Sequence, residues 1–215
     1  MLADWLNRLR CGLVTSSPNG LTEFSGALAM GAAGEWGGHS TIVGESGTGK
    51  STFAHAFASD MTGARVLFER AHVPGWRELG LRGRFVSVSG KEDVLSLSEM
   101  VVDRPAGLLT LTVPWGPEEA RFLSKALSGV LSDMLARGCV YEVPLRLLFD
   151  EAFGILEEGV ATALLEVGRT YKTQVVSFDA PVSRYSRQLE ANSRWLGAIT
   201  SGAVLVRDAG AVAKM

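Results

Sequence analysis

Two dipeptides in this sequence, Lys50-Ser51 and Asp150-Glu151, carry side chains that could do chemistry together. A lysine ammonium is a point cation suited to phosphate oxygens, and a serine hydroxyl beside it can ligate Mg²⁺. An aspartate can hold the same ion through water, and a glutamate next to it can orient or deprotonate a water molecule. Lys50 and Ser51 close the run Gly44-Glu45-Ser46-Gly47-Thr48-Gly49-Lys50-Ser51, which fills every fixed position of the G-x-x-x-x-G-K-[ST] phosphate-binding loop. Its glycines let the backbone curl so that N–H groups point inward, and the following helix adds its positive end. The chemistry is therefore binding of a nucleoside triphosphate. The nucleotide-binding set is Gly44, Glu45, Ser46, Gly47, Thr48, Gly49, Lys50, Ser51 and Thr52, and the metal ligands are Ser51 and Asp150.

Such a loop works only between a strand and a helix. The residues before it, His39-Ser40-Thr41-Ile42-Val43, read as a short buried strand, and residues 52–58 read as a helix. This context separates the motif from a glycine-rich turn that happens to precede Lys-Ser. Residues 145–149 form a second apolar strand that delivers Asp150 at its carboxyl end, where ligands of α/β sheets bind. Alone, this would read equally well as a buried strand ending in a solvated acid pair. Beside a complete phosphate loop, it reads as a metal-holding Asp150 and a general base Glu151. Lys50 is the catalytic cation, and the acid pair favours water as the nucleophile. A third strand, residues 174–178, ends in Asp179 at the same sheet edge.

The remaining elements supply a scaffold. Strands are expected over residues 64–69, 85–88, 108–113, 196–199 and 203–206, and a helix containing Ala161, Leu164, Leu165 and Gly168 follows the acid pair. Pro117, Glu118 and Glu119 open an amphipathic helix that Gly138 stops, with Leu123, Leu127, Val130 and Met134 on one face. With 215 residues and 47% hydrophobic content, the chain is expected to form a single α/β domain, a mainly parallel sheet flanked by helices. A formal net charge of −2 excludes a wholesale polyanion coat, so nucleic-acid contacts must come from local basic surface. The segment with Arg70, Trp76, Arg77, Arg82, Arg84 and Lys91 is such a candidate, set against an ordinary solvated loop.

Cys11 and Cys139 lack the spacing of a redox or metal pair and read as reduced, which suits a cytosolic setting. The start of the chain lacks a signal peptide, and the small-residue run from Gly26 to Gly34 is far shorter than the roughly 20 residues a membrane span needs. Leu2, Trp5, Leu6 and Leu9 form a helical face that docks either on the domain itself or on a protein or membrane partner. Residues 1–38 are thus expected as a helix and loop segment packed on an ATPase domain spanning 39–215.

The order of these pieces resembles the HerA/FtsK superfamily of DNA-pumping P-loop ATPases. The likeness lies in the strand and loop of residues 41–51, residues 108–113 before a long helix, the acid pair, and Gly168-Arg169-Thr170-Tyr171 a helix later. The resemblance implies a RecA-like core, ATP and Mg²⁺ as cofactors, and self-association into a ring, commonly a hexamer, around double-stranded DNA. It also implies an arginine completing the neighbouring site, with Arg169 the first candidate and Arg184 and Arg187 weaker ones. Arg169 is also a candidate for a site-sensing role in its own subunit, set against a surface arginine capping a helix C-terminus. Asp179 stands where the family carries a γ-phosphate-sensing glutamine, and Arg194 near Asn192 lies in a stretch similar to the post-sensor helix.

The short run before Gly44 narrows the likeness to the compact genome-packaging ATPases of tailless internal-membrane viruses. A capsid or membrane vertex protein is then the expected partner of the N-terminal helix, and the host cytoplasm or packaging vertex the expected location. The alternatives are a conjugation or secretion ATPase of the same superfamily, a P-loop phosphotransferase acting on a small acceptor, and a nucleotide-gated assembly protein that does not hydrolyse.

Overall fold

Short apolar runs separated by turn residues become the strands of one large sheet. The structure, a computed structural model, describes residues 13–15, 38–60, 63–69, 84–87, 107–112, 117–137, 145–167, 170–200 and 203–208. In chain order these form β1 (Leu13–Thr15), β2 (His39–Gly44), α1 (Lys50–Asp60), β3 (Ala64–Glu69), β4 (Arg84–Ser87), β5 (Gly107–Thr112) and α2 (Pro117–Arg137). Then come β6 (Leu145–Asp150), a 3₁₀ turn (Phe153–Ile155), α3 (Glu158–Val167), β7 (Thr173–Asp179), α4 (Ser186–Asn192), β8 (Ser193–Thr200) and β9 (Ala203–Asp208).

The sheet order is β1-β9-β8-β2-β7-β6-β3. Strands β8, β2, β7, β6 and β3 run parallel, while β9 and then β1 add antiparallel at one edge. A parallel pair, β4 and β5, lies at the other edge with β5 running alongside β3. Parallel strands need helical crossovers, which cover both faces, so central strands are buried throughout. That is why every residue of β2, β6 and β7 is buried. Their carboxyl ends gather along one edge of the sheet, where the phosphate loop begins.

Alternate side chains serve opposite faces. Leu67, Leu148, Val176 and Phe178 meet Phe53 and Phe57 of α1 on one face. Val66, Phe68, Leu147, Phe149 and Val175 meet Leu123, Leu127 and Leu164 of α2 and α3 on the other. Phe53 and Phe178 meet edge to face at 6.0 Å, and Phe68 stacks on Phe149 at 4.8 Å. Burying such a ring contributes about 1.5–3 kcal/mol, so these contacts set where α1 sits above the strand ends.

Polar contacts fix the other end of β2. His39 Nδ1 accepts the Val175 backbone N–H at 2.9 Å, which makes Nε2 the donor to the Leu165 carbonyl at 2.8 Å. Leu165 lies in the last turn of α3, where carbonyls lack helical partners, so one buried imidazole ties β2, β7 and α3 together.

The expected strands and helices over the described residues are present, with no end differing by more than three residues. One expectation is corrected. The resemblance placed Arg194 in a helical stretch, but α4 ends at Asn192 and Arg194 belongs to β8. The reason is local: β8 pairs with β2 from Ser193 onward, and the Ser193 and Thr41 hydroxyls are 2.7 Å apart. Leu2, Trp5, Leu6, Leu9, Cys11, Cys139 and most of the basic segment from Arg70 to Lys91 lie outside the described residues, so the division at residue 38 is not decided there. Within that basic segment, Arg84 opens β4. Among the described residues, no helix is long and apolar enough to cross a membrane.

Candidate active site at the phosphate loop

Gly44 ends β2 where a side chain has no room. A Cβ there would lie 2.7 Å from Thr48 Oγ1, 3.0 Å from the Ile199 carbonyl and 3.1 Å from Lys50 Cγ. Gly47 and Gly49 have φ of +78° and +90°, in the left-handed region that L side chains enter only with strain. The loop is drawn together at one atom, the Glu45 carbonyl oxygen. It accepts the Thr48 N–H at 3.3 Å, the Thr48 hydroxyl at 2.8 Å and the Lys50 ammonium at 2.9 Å. Helix α1 begins at Lys50, so its first N–H groups open toward the loop, the arrangement that favours an anion.

The acid pair meets this loop from β6. Asp150 shares the strand face of Leu148 and so points to the α1 side, where the nearby Ser51 hydroxyl favours its ionised form. Asp150 Oδ1 is buried with no hydrogen-bond partner among the described residues. A hydroxyl and a carboxylate with one unused oxygen form an all-oxygen donor set, which fits Mg²⁺. Ser51 and Asp150 are therefore the residues that would hold it.

Glu151 follows with φ of 54°, a left-handed conformation in a residue other than glycine. Its N–H donates to the Phe178 carbonyl at 2.9 Å, which clamps the turn. Its carboxylate lies 3.3 Å from Lys50 Nζ; the lysine side chain is 4% exposed and the glutamate 42%. Glu151 thus reaches solvent while contacting the buried Lys50 ammonium.

Asp179 ends β7, the strand between the loop strand and the acid strand, opposite Val43. It is buried, and the Ser177 hydroxyl donates to its Oδ2. Burial pushes both Asp150 and Asp179 up to about 6, opposed by the Ser51 and Ser177 hydroxyls and reinforced by neighbouring carboxylates, with Lys50 pulling the other way. The sheet edge therefore brings together Lys50, Ser51, Asp150, Glu151 and Asp179.

Other candidates are placed differently. Gly168 and Arg169 lie outside the described residues. Arg184 stacks over the Tyr185 ring at 5.0 Å and donates to the Leu156 carbonyl at 3.4 Å, so it is engaged within its own chain. Arg187 is exposed on α4. The structure adds a contact that the sequence reading did not single out: His55 Nε2 and Glu69 Oε2 are 2.9 Å apart, both buried, beside Asp150. The signal was available, because Glu69 ends an apolar strand just as Asp150 does, and His55 lies one helical turn beyond Ser51.

Fold and site together define a P-loop nucleotide-binding α/β domain with an acid pair at the loop. No protein-family model matches the chain, and no curated protein matches it. Among solved structures, it is similar in fold to the genome packaging NTPase B204 of Sulfolobus turreted icosahedral virus 2 with ATP-gammaS, at 10% identity and a TM-score of 0.47, covering 75% of this chain and 73% of that one. It is also similar to the cytoplasmic domain of the type VII secretion ATPase EccC of Thermomonospora curvata, at 10% identity and 0.47, covering 81% of this chain and 24% of that one. The type III secretion ATPase EscN of enteropathogenic E. coli gives 12% identity and 0.42, covering 77% and 43%. These likenesses are of fold.

Proposed function

We propose that this chain hydrolyses ATP and uses the energy to move double-stranded DNA, as a ring-forming motor that packages a viral genome. The observation that carries the ATPase reading is the convergence of Lys50, Glu151 and the Ser51–Asp150 pair on a complete phosphate loop. The loop and the α1 N-terminus would hold the phosphates, with Lys50 on their terminal oxygens. Bound Mg²⁺, held by Ser51 and Asp150, would neutralise phosphate charge. In the reaction, a water oxygen bonds to the γ-phosphorus as the bond from that phosphorus to the bridging oxygen breaks. Glu151 takes the water proton, and ADP and phosphate leave. Asp179 stands at the γ-phosphate end in place of an amide.

The DNA reading is supported by the sequence resemblance to HerA/FtsK ATPases. On that reading Arg169 enters a neighbouring subunit's site, where such a group is worth on the order of 10³–10⁵ in rate. The N-terminal face meets a capsid or membrane vertex protein, and the motor works in the host cytoplasm or at the packaging vertex. The test is steady-state ATP hydrolysis with and without duplex DNA, at low and high salt. A motor on DNA is stimulated at low salt and loses the stimulation as salt screens phosphate contacts. Hydrolysis indifferent to duplex DNA at low salt would overturn the DNA reading and favour a protein substrate.

A further inference from the structure

Helix α1 places Ser51 and His55 four residues apart, on one face. In the sheet beneath, Asp150 and Glu69 are direct neighbours on parallel strands β6 and β3, at the last position of each. The two pairs lie side by side: the Ser51 hydroxyl is near enough to Asp150 to favour its ionised form, and His55 Nε2 lies 2.9 Å from Glu69 Oε2, with those side chains 1% and 2% exposed.

We infer that the His55–Glu69 contact is a positioning device for the metal seat, setting the spacing of Ser51 from Asp150 and keeping Glu69 out of the ligand set. The inference rests on the nucleotide-site reading above. Apolar contacts from Phe53, Ala54, Phe57 and Ala58 hold α1 to the sheet, but such contacts are non-directional and tolerate small slides and rotations. A buried hydrogen bond is directional, and it fixes the height and rotation of α1 one turn beyond Ser51. Mg²⁺ needs that accuracy, because it demands near-ideal octahedral geometry at about 2.0–2.1 Å. Neighbouring strands are only about 4.8 Å apart, so a Glu69 carboxylate released from His55 would lie next to Asp150 and compete for the same cation.

The test compares binding of a fluorescent ATP analogue with Mg²⁺ and with EDTA, in the full chain and its variants. Groups that orient a metal ligand typically carry about 10–100-fold in metal affinity. His55→Ala is therefore expected to reduce the Mg²⁺-dependent tightening at least tenfold and to leave the EDTA affinity within about twofold of wild type. His55→Gln keeps a donor for Glu69 and is expected to retain the tightening. Replacing both partners by apolar groups of similar shape is often near neutral for folding, so the double variant His55→Leu/Glu69→Met serves if His55→Ala does not fold, and the same loss is expected in it. A folded variant lacking the contact but keeping the wild-type Mg²⁺ effect would overturn the inference, as would EDTA affinity falling in step. A wild-type protein that binds the analogue no better with Mg²⁺ would instead overturn the nucleotide-site reading beneath it.

Discussion

Glu151 holds its carboxylate 3.3 Å from the buried Lys50 ammonium while its backbone sits at φ 54°. A left-handed conformation in a residue other than glycine costs on the order of 1–3 kcal/mol and persists where its surroundings enforce it. Here the enforcement comes from the Phe178 carbonyl, which takes the Glu151 N–H. The strand that supplies the clamp is the one that ends in Asp179. Glu151, Lys50 and Asp179 are thus referred to one another through β7.

Asp179 gives the site a pH signature. Its carboxyl is pushed up to about 6 from an ordinary 3.8, chiefly by burial. A carboxyl raised on folding is protonated more readily in the folded state. Its stabilising contribution is therefore complete below about pH 4 and is lost as pH rises to about 6. Asp179→Asn removes the charge and keeps an acceptor for Ser177. Urea unfolding of the nucleotide-free protein is expected to show Asp179→Asn more stable than wild type by roughly 1–3 kcal/mol at pH 7.5, with the advantage shrinking toward pH 4.5.

Gly44→Ala tests the loop. The added methyl group would lie 2.7 Å from Thr48 Oγ1 and 3.0 Å from a fixed carbonyl oxygen, too close for either. The Thr48 bond to Glu45, and with it the loop shape, must shift. Isothermal titration is expected to show ATP binding weakened at least about tenfold, the equivalent of about 1.4 kcal/mol, and melting to show a destabilisation of about 1–3 kcal/mol.

Phe178 couples the core to the site, because its ring packs on Phe53 and Phe57 of α1 while its carbonyl holds Glu151. Phe53→Ala and Phe178→Ala are each expected to cost about 3–5 kcal/mol in urea unfolding. The double variant is expected to cost less than the sum by about 0.5–1.5 kcal/mol, the worth of the edge-to-face pair.

Much of this site was legible in the sequence because its parts are local. Gly44 to Ser51 is one contiguous motif, and Asp150 and Asp179 each end a continuous apolar run, so strand and sheet edge could both be read. The positions of His55 and Glu69 carried a signal, but their pairing did not, because the two are fourteen residues apart and meet only once β3 lies under α1. Ser177 was hidden in the same way, as a small polar residue inside an apolar strand whose partner is two positions on. The backbone of Glu151 could not be read either, since the Phe178 carbonyl that enforces it comes from a strand 27 residues later. Arg194 was placed by the resemblance in a stretch similar to a helix, whereas it lies in β8, which pairs with β2 from Ser193 onward.

The central claim is that Glu151 activates water at this phosphate loop. Glu151→Gln is nearly isosteric and removes the base while leaving Lys50, Ser51 and Asp150 in place. Rapid-quench measurement of ATP cleavage, with nucleotide binding followed in the same samples, is the most direct test. The account predicts ATP affinity within about threefold of wild type and cleavage slowed by about 10²–10⁴-fold, the usual contribution of a general base. Cleavage at the wild-type rate in Glu151→Gln would contradict it.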